Sequence, residues 1–471
     1  MATFTHSRVR RVCSRLSLPR PGRATVDVPQ VPDGPAPRRD LVFDGLRGLG
    51  ILLVLGYHAF PAAIPGGNIG VDILFVLSGY FVTRSLISRG LQTVGQDVKR
   101  FWVRRARRLV PALVVMLVTV SALSMPLVPH VPARQREQWL AALTWTTNWS
   151  LIGDRASYFS QFEPRLFQHL WSLGVEAQFY ALWPVIVLAM IVVVQRRSKA
   201  APSARIIAVT AFTLAGCSFL AMLGLGALGA SASRLYMGTD THAFGLLAGA
   251  GIALTLSSAR SREDEHPRVL RVRRGASDAA GSVDEALHRR HAGAAVLVTL
   301  VGLLVTLAVL AKPDDGLTLV FVVPMATAVT VGVLVVAAGG AVRQIPGMTS
   351  KPMMWLGRRS YALYLWHWPF LVLARDVLPL DGGLPAAMRD VTVLAISLAV
   401  AEASWRYIES PILTHGFRAS GRTARQAVAG LTGRPVALVL LTLVVAVVVT
   451  AAGAALALSP QATLLEQQLS Q

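Results

Sequence analysis

Arg47 and His58 stand eleven residues apart in FDGLRGLGILLVLGYHAF, a run that is otherwise apolar. Ionisable side chains are costly inside such a run, so each marks a functional position or an interface anchor. At about 100° per residue, eleven residues turn through about 1100°, some 20° past three full turns, and the two side chains share one helix face. A rise of ~1.5 Å per residue sets them ~16 Å apart along the axis, roughly half of a ~30 Å hydrocarbon layer. Position alone also explains Arg47 as a snorkelling anchor and His58 as a helix-to-helix hydrogen bond. The chemistry that would need both is proton transfer at His58 and anion binding at Arg47.

Further polar residues gather at the level of each. Asp72 opens the next apolar run, NIGVDILFVLSGY, which also holds Ser78. The connection PAAIPGGN is short, so the two helices are antiparallel neighbours and Asp72 is expected to reach His58 and orient its imidazole. HLWSLGVEAQFYALWP places His169 at the mouth of the fourth span and Glu176 about two turns deeper, facing the bundle interior, with Gln178 beside it. YMGTDTHAFGLLAG adds Asp240 and His242, and RRSYALYLWHWPF holds His367 between Trp366 and Trp368, where packing explains it as well as catalysis does. On the other side, FWVRRARRLVP supplies Arg104, Arg105, Arg107 and Arg108. These arginines fit either a positive anchor or a clamp for a phosphorylated molecule, because guanidinium forks match phosphate. A His, Asp and Glu set at one level and an Arg set at the other suits an enzyme that takes a phosphate-bearing donor from one side and acts on an acceptor on the other. The expected catalytic set is His58, Asp72 and Glu176, and the expected donor-binding set is Arg47, Arg104, Arg105 and Arg108.

The elements that must position these residues are membrane spans. With 53% hydrophobic and 15% charged residues and a mean hydropathy of +0.52, the composition is that of a membrane protein. Apolar runs fall near 46–63, 69–88, 109–128, 171–194, 206–228, 241–258, 293–311, 317–341, 359–376, 387–407 and 435–458. They predict an all-α bundle of about 10–11 transmembrane helices in the cell membrane. With the N-terminus placed in the cytoplasm, 36 basic residues fall in cytoplasmic segments and 6 in outer loops, which is the expected asymmetry. This distribution accounts for most of the +21 net charge without nucleic acid. The expected organisation is a disordered basic tail over 1–42, a membrane domain over 43–413, a cytoplasmic linker over 414–434, a further helix over 435–458 and a short outer tail over 459–471. The pair Arg38-Arg39 precedes a retained first span rather than a cleaved signal, since no small-residue cleavage site follows cleanly. Cys13 and Cys217 are the two cysteines, and neither a disulfide nor a metal site is expected. GLGALG at 224–229 lies in an apolar span without a preceding strand and reads as helix packing, and no G-x-S-x-G is present.

Together these segments resemble the membrane acyltransferase 3 family, the bacterial O-acyltransferases that modify polysaccharides, peptidoglycan and macrolides, over about residues 40–413. Arg47 and His58 match its R-x10-H signature. GVDILFVLSGY matches a second motif, with Leu74 in place of a Phe, and FWVRRARRLVP a third, through Arg104, Arg105, Arg108 and Pro111. HLWSLGVEAQFYALWP matches a fourth through Glu176, Gln178 and Phe179, with Gly174 in place of Ser or Ala. SYALYLWHWP and YIESPI match two late motifs. The resemblance implies an acyl-CoA donor, usually acetyl-CoA, bound from the cytoplasm with no resident cofactor. It implies His58 as the key catalytic residue, Arg47 on the donor side, and an acceptor hydroxyl on an extracytoplasmic glycan or glycosylated small molecule. His242 stands where similar members often have Arg. Many eleven-span members carry an extracellular SGNH-type domain after the last span. Here the chain ends at Gln471, so a second transfer step is expected to fall to a separate partner. The rival readings are a transporter, which predicts an internal repeat that the sequence lacks, and another membrane-bound acyltransferase family.

Overall fold

A chain inside hydrocarbon has no water for its backbone groups and must close its hydrogen bonds within each segment. In the computed structural model each of the eleven apolar runs is helical over most of its described length, and no strand occurs among the described residues. The structure describes residues 41–127, 134–159, 164–198, 203–265, 279–312, 315–339, 342, 344–380, 382–414, 416 and 435–459. The expected tail 1–42 lies outside these except for 41 and 42, as do most of the linker 414–434 and of the tail 459–471.

The helices are α1 (Leu41–Ala59), α2 (Gly70–Leu86), α3 (Val94–Leu127), α4 (Gln135–Leu143), α5 (Thr147–Gly153), α6 (Trp171–Ser198), α7 (Ala204–Ala227) and α8 (Ala232–Met237). They continue with α9 (Thr239–His242), α10 (Phe244–Glu265), α11 (Ala279–Leu310), α12 (Gly316–Ala338), α13 (Lys351–Arg358), α14 (Ser360–Val377), α15 (Gly383–Ser404) and α16 (Pro435–Leu458). Eight described helices are long and apolar enough to cross a membrane, and the apolar parts of α10 and α16 are shorter. The protein is a multi-pass membrane protein. Asp315 caps α12 by accepting the Thr318 backbone N–H at 2.7 Å, and that bond holds its carboxyl below the usual range.

Two boundaries differ from the hydropathy reading. α1 already includes Leu41, so Asp44 and Arg47 both lie within the helix. The FWVRRARRLVP segment lies within α3, so its arginines are spaced by helical geometry rather than by a loop.

α1 and α2 are central: 72% of the most apolar window of each is buried by protein, against 17% in the span His291–Leu310 of α11. α2 packs along α10, and α10 along α7. The approach of α2 to α10 depends on small residues. A Cβ added at Gly79 would stand 1.8 Å from the Leu246 carbonyl oxygen, and one at Gly249 would stand 2.1 Å from that of Val76. α13 crosses α1 in the same way, since a Cβ at Gly357 would stand 1.8 Å from the Asp44 carbonyl oxygen. Gly357→Val is therefore expected to destabilise the fold by about 1–3 kcal/mol or more, read as a lower melting temperature in detergent. Gly302→Val is the control, because nothing lies within 4 Å of its added Cβ. Equal melting temperatures for the two variants would contradict the close crossing.

Candidate functional site

His58 sits at the end of α1, where the last helical carbonyls lack backbone partners. Arg375 of α14 supplies one: its Nη2 donates to the His58 carbonyl at 2.7 Å and to Asp390 of α15 at 2.9 Å. Arg389 Nε donates to the same carboxylate at 2.8 Å. The end of α1 is thus clamped to α14 and α15 through a buried ion pair.

The imidazole of His58 is 5% exposed. Its Nδ1 lies 3.0 Å from Nε2 of His367, and its Nε2 lies 3.5 Å from the Tyr158 hydroxyl. The Trp368 ring is 4.6 Å from the His58 ring, and Tyr57 stacks on Tyr158 at 6.1 Å. Tyr158 comes from the segment between α3 and α6, which α4 and α5 hold in place. His367 Nδ1 donates to the Leu363 carbonyl at 2.9 Å, four residues back on α14. His169, just before α6, bonds through Nε2 to the Leu365 carbonyl at 3.2 Å, and its ring is 5.9 Å from that of His367. Its backbone carbonyl accepts the Tyr364 hydroxyl at 2.5 Å, so Ser172 Oγ donates to Tyr364 at 2.7 Å.

Towards the Arg47 end of α1 lies a cavity of about 720 Å³, including its opening to solvent. Arg47, Arg105 and Arg108 line it with Ser78, Glu176, Tyr180, Tyr361 and Tyr364. The Arg47 guanidinium lies 4.5 Å from the Phe81 ring centre, and that of Arg105 lies 5.2 Å from that of Tyr180. These ring faces help to hold the two guanidinium planes in place. The Ser78 and Tyr180 hydroxyls are 2.5 Å apart, and Trp102 Nε1 fixes the Tyr180 carbonyl at 3.0 Å. Glu176 interacts with Ser78, Tyr180, Arg108 and Arg105. Three guanidinium groups against one carboxylate leave the cavity net positive, which suits a phosphorylated ligand. Tyr364 lines the cavity, and its ring lies 5.6 Å from that of His367. One aromatic side chain thus joins the arginine cavity to the histidine pair.

Several expected contacts are redistributed. Asp72 does not bond His58; its Oδ1 lies 2.7 Å from Nε2 of His242, whose Nδ1 donates to the Tyr236 carbonyl at 2.5 Å. The close packing of α2 on α10 brings His242, two residues before α10, onto Asp72. Both residues are fully buried, so each supplies the polar partner that the other would otherwise lack. Glu176 joins the arginines rather than His58. It lies seven residues beyond His169, on the same face and ~10.5 Å further along the axis, which carries it to the level of Arg105 and Arg108. Arg104 is exposed and lines no part of the cavity, being about 100° around α3 from Arg105.

Gln178 is a structural clasp. Its Nε2 donates to the Trp145 carbonyl at 2.8 Å and to Asn148 Oδ1 at 3.0 Å, and its Oε1 accepts from Thr239 at 2.5 Å. Trp366 is buried against Phe370, with ring centres 5.5 Å apart, and its Nε1 has no partner among the described residues. Asp240 forms a two-point ion pair with Arg234 at 2.9 and 2.6 Å on a surface where its side chain is 43% exposed. Asp240→Asn is expected to cost under about 1 kcal/mol in stability and to leave activity within about twofold. A loss of activity beyond ~10-fold would return Asp240 to the site. Tyr158, Tyr364, Trp368 and Arg375 are site residues that the sequence did not single out. Tyr364 was within reach by helical spacing, three residues before His367. Tyr158 carried no local signal, because a long connection delivers it.

A family model described as an acyltransferase domain matches residues 40–406. The chain is 32% identical over 387 residues to "Peptidoglycan O-acetyltransferase OatA" of Listeria monocytogenes, covering 79% of this chain and 56% of that protein. It is 32% identical to "Putative peptidoglycan O-acetyltransferase YrhL" of Bacillus subtilis, covering 80% and 56%, and 30% identical to "O-acetyltransferase OatA" of Staphylococcus aureus, covering 80% and 57%. It thus spans a little over half the length of the curated relatives it matches. No solved structure matches it. With the family model covering most of the chain, and with the R-x10-H signature placed on the central helix α1, this protein belongs to the membrane acyltransferase 3 family.

Proposed function

We propose that the protein is a membrane O-acetyltransferase that moves an acetyl group from cytoplasmic acetyl-CoA to a hydroxyl of an extracytoplasmic glycan, with His58 as the base. The observation that carries this reading is the division of α1, which holds Arg47 in an arginine-lined cavity at one end and His58 buried in a histidine pair at the other. The basic-residue asymmetry favours a cytoplasmic Arg47 end. The cavity has the charge to hold the phosphates of CoA, and the ~16 Å between Arg47 and His58 is a distance of the order that a pantetheine arm bridges.

In the proposed reaction, the acceptor hydroxyl gives its proton to His58 Nε2 while its oxygen attacks the thioester carbonyl carbon. The carbon–sulfur bond breaks, the ester forms, and the CoA thiolate leaves and takes up that proton. Relatives named as peptidoglycan O-acetyltransferases support a glycan acceptor. The testing experiment uses membrane vesicles containing the full chain, radiolabelled acetyl-CoA and peptidoglycan glycan strands. Labelled, alkali-labile ester on the glycan with matched release of CoA is the expected result. Movement of glycan without CoA release would replace this reading with transport.

A further inference from the structure

The hydrogen bonds around His58 contain one constraint that fixes a proton position. The Leu363 carbonyl can only accept, so the Nδ1 of His367 that bonds it at 2.9 Å carries a hydrogen. His367 is fully buried and forms no ion pair with a carboxylate among the described residues, so a second proton there would be an unpaired buried charge. His367 Nε2 is therefore a lone pair. It faces His58 Nδ1 at 3.0 Å, and only a hydrogen on His58 Nδ1 makes that contact a bond. The remaining nitrogen, His58 Nε2, is then left bare, facing the Tyr158 hydroxyl at 3.5 Å.

We infer that His367 is a positioning residue that locks His58 in its Nδ1–H tautomer and presents Nε2 as the lone pair for the acceptor hydroxyl, an inference that rests on the acetyltransferase reading above only for its catalytic consequence. The Leu363 carbonyl orients His367, and His367 orients His58. A neutral imidazole thus fills the place that a carboxylate holds in a Ser-His-Asp triad. When His58 Nε2 takes the proton, its Nδ1–H bond to His367 becomes charge-assisted and strengthens. The charge that appears is shared over two rings and meets no carboxylate among the described residues, so the proton is returned readily to the departing thiolate. Arg375 fixes the backbone of the same residue at 2.7 Å, which leaves ring orientation as the variable that His367 controls. The groups facing His58 are His367, His169, Arg375, Tyr57 and Tyr158.

The test uses two substitutions that differ in which nitrogen they replace. Glutamine at 367 keeps an acceptor near the place of Nε2, whereas asparagine keeps only a donor near the place of Nδ1. In the vesicle assay, H367Q is expected to hold kcat within about 10-fold of the parent. H367N is expected to lose about 10²–10⁴-fold in kcat with the KM for acetyl-CoA unchanged. A packing role predicts the reverse ranking or equal effects, since asparagine retains the Leu363 bond, and either result would overturn the inference. The tautomer is read separately by magnetic resonance of the full chain with isotope-labelled histidine, the His58 signal being assigned by its loss in H58Q. A hydrogen on Nδ1 of both His58 and His367 is expected at neutral pH, and a hydrogen on His58 Nε2 would contradict it. This readout needs no substrate. If the functional reading fails, the spectrum still decides the tautomer claim; if H58A is inactive while H367N matches H367Q, only the inference falls.

Discussion

On the proposed reading, replacing His58 with alanine is expected to remove acetyl transfer while the protein stays folded in the membrane. The imidazole is the titratable group at the far end of α1 from Arg47, and its Nε2 is not tied to a backbone carbonyl, unlike the bonded nitrogen of His367, His169 or His242. A positioned general base contributes about 10²–10⁴-fold, and His169 and His367 are held too far into their own bonds to replace it. The substitution leaves one buried acceptor, His367 Nε2, without its donor, at a cost of about 1–3 kcal/mol. The H58A protein is thus expected in the membrane at near-parent amounts with a melting temperature lowered by a few degrees. Its rate of ester formation on glycan, measured against parent vesicles of equal protein content, should fall to background. A rate equal to the parent's would remove His58 from the chemistry.

Arg47→Ala is expected to act on the proposed donor site and not on the base. Arg47 is one of three guanidinium groups in the cavity, and its plane is held against Phe81 at 4.5 Å rather than consumed by a carboxylate. A hydrogen bond to a charged group is worth about 1.5–3 kcal/mol. At about 1.4 kcal/mol per decade, its loss raises the KM for acetyl-CoA by about 10–150-fold. Turnover at saturating donor should change little, because His58 and His367 are untouched. Arg47→Lys keeps the charge but loses the planar fork and the face-on contact with Phe81, and should fall between parent and alanine. An unchanged KM in Arg47→Ala would take Arg47 out of the donor site.

Much of the arrangement was legible in the residues because helical periodicity is a local property. The shared face of Arg47 and His58, and the inward orientation of Glu176, follow from residue spacing and the cost of burying charge. The eleven apolar runs are helical over most of their described length for the same reason, since a backbone in hydrocarbon has few alternatives. Partner choice was not legible, because it depends on how helices distant in sequence cross. Asp72 follows His58 closely in the chain and looked like its partner, yet the glycine-mediated approach of α2 to α10 delivers His242 to it instead. Glu176 was placed with His58 from the direction of its span. Its depth, two turns beyond His169, was legible; that Arg105 and Arg108 stand at that depth depends on how α3 packs against α6. His367 was visible as a buried histidine between two tryptophans, but its pairing with His58 spans 309 residues of sequence. Tyr158 comes from an irregular connection, where periodicity says nothing.

The account stands on one claim, that donor and acceptor meet from opposite faces of the membrane at two ends of α1. Sealed vesicles carrying the full chain in a single orientation test it, with labelled acetyl-CoA on the Arg47 face alone and glycan strands on the His58 face alone. The account predicts labelled ester on the glycan, free CoA retained on the donor face, and no ester when the two substrates exchange sides. Ester formation only when both substrates share one face would contradict it.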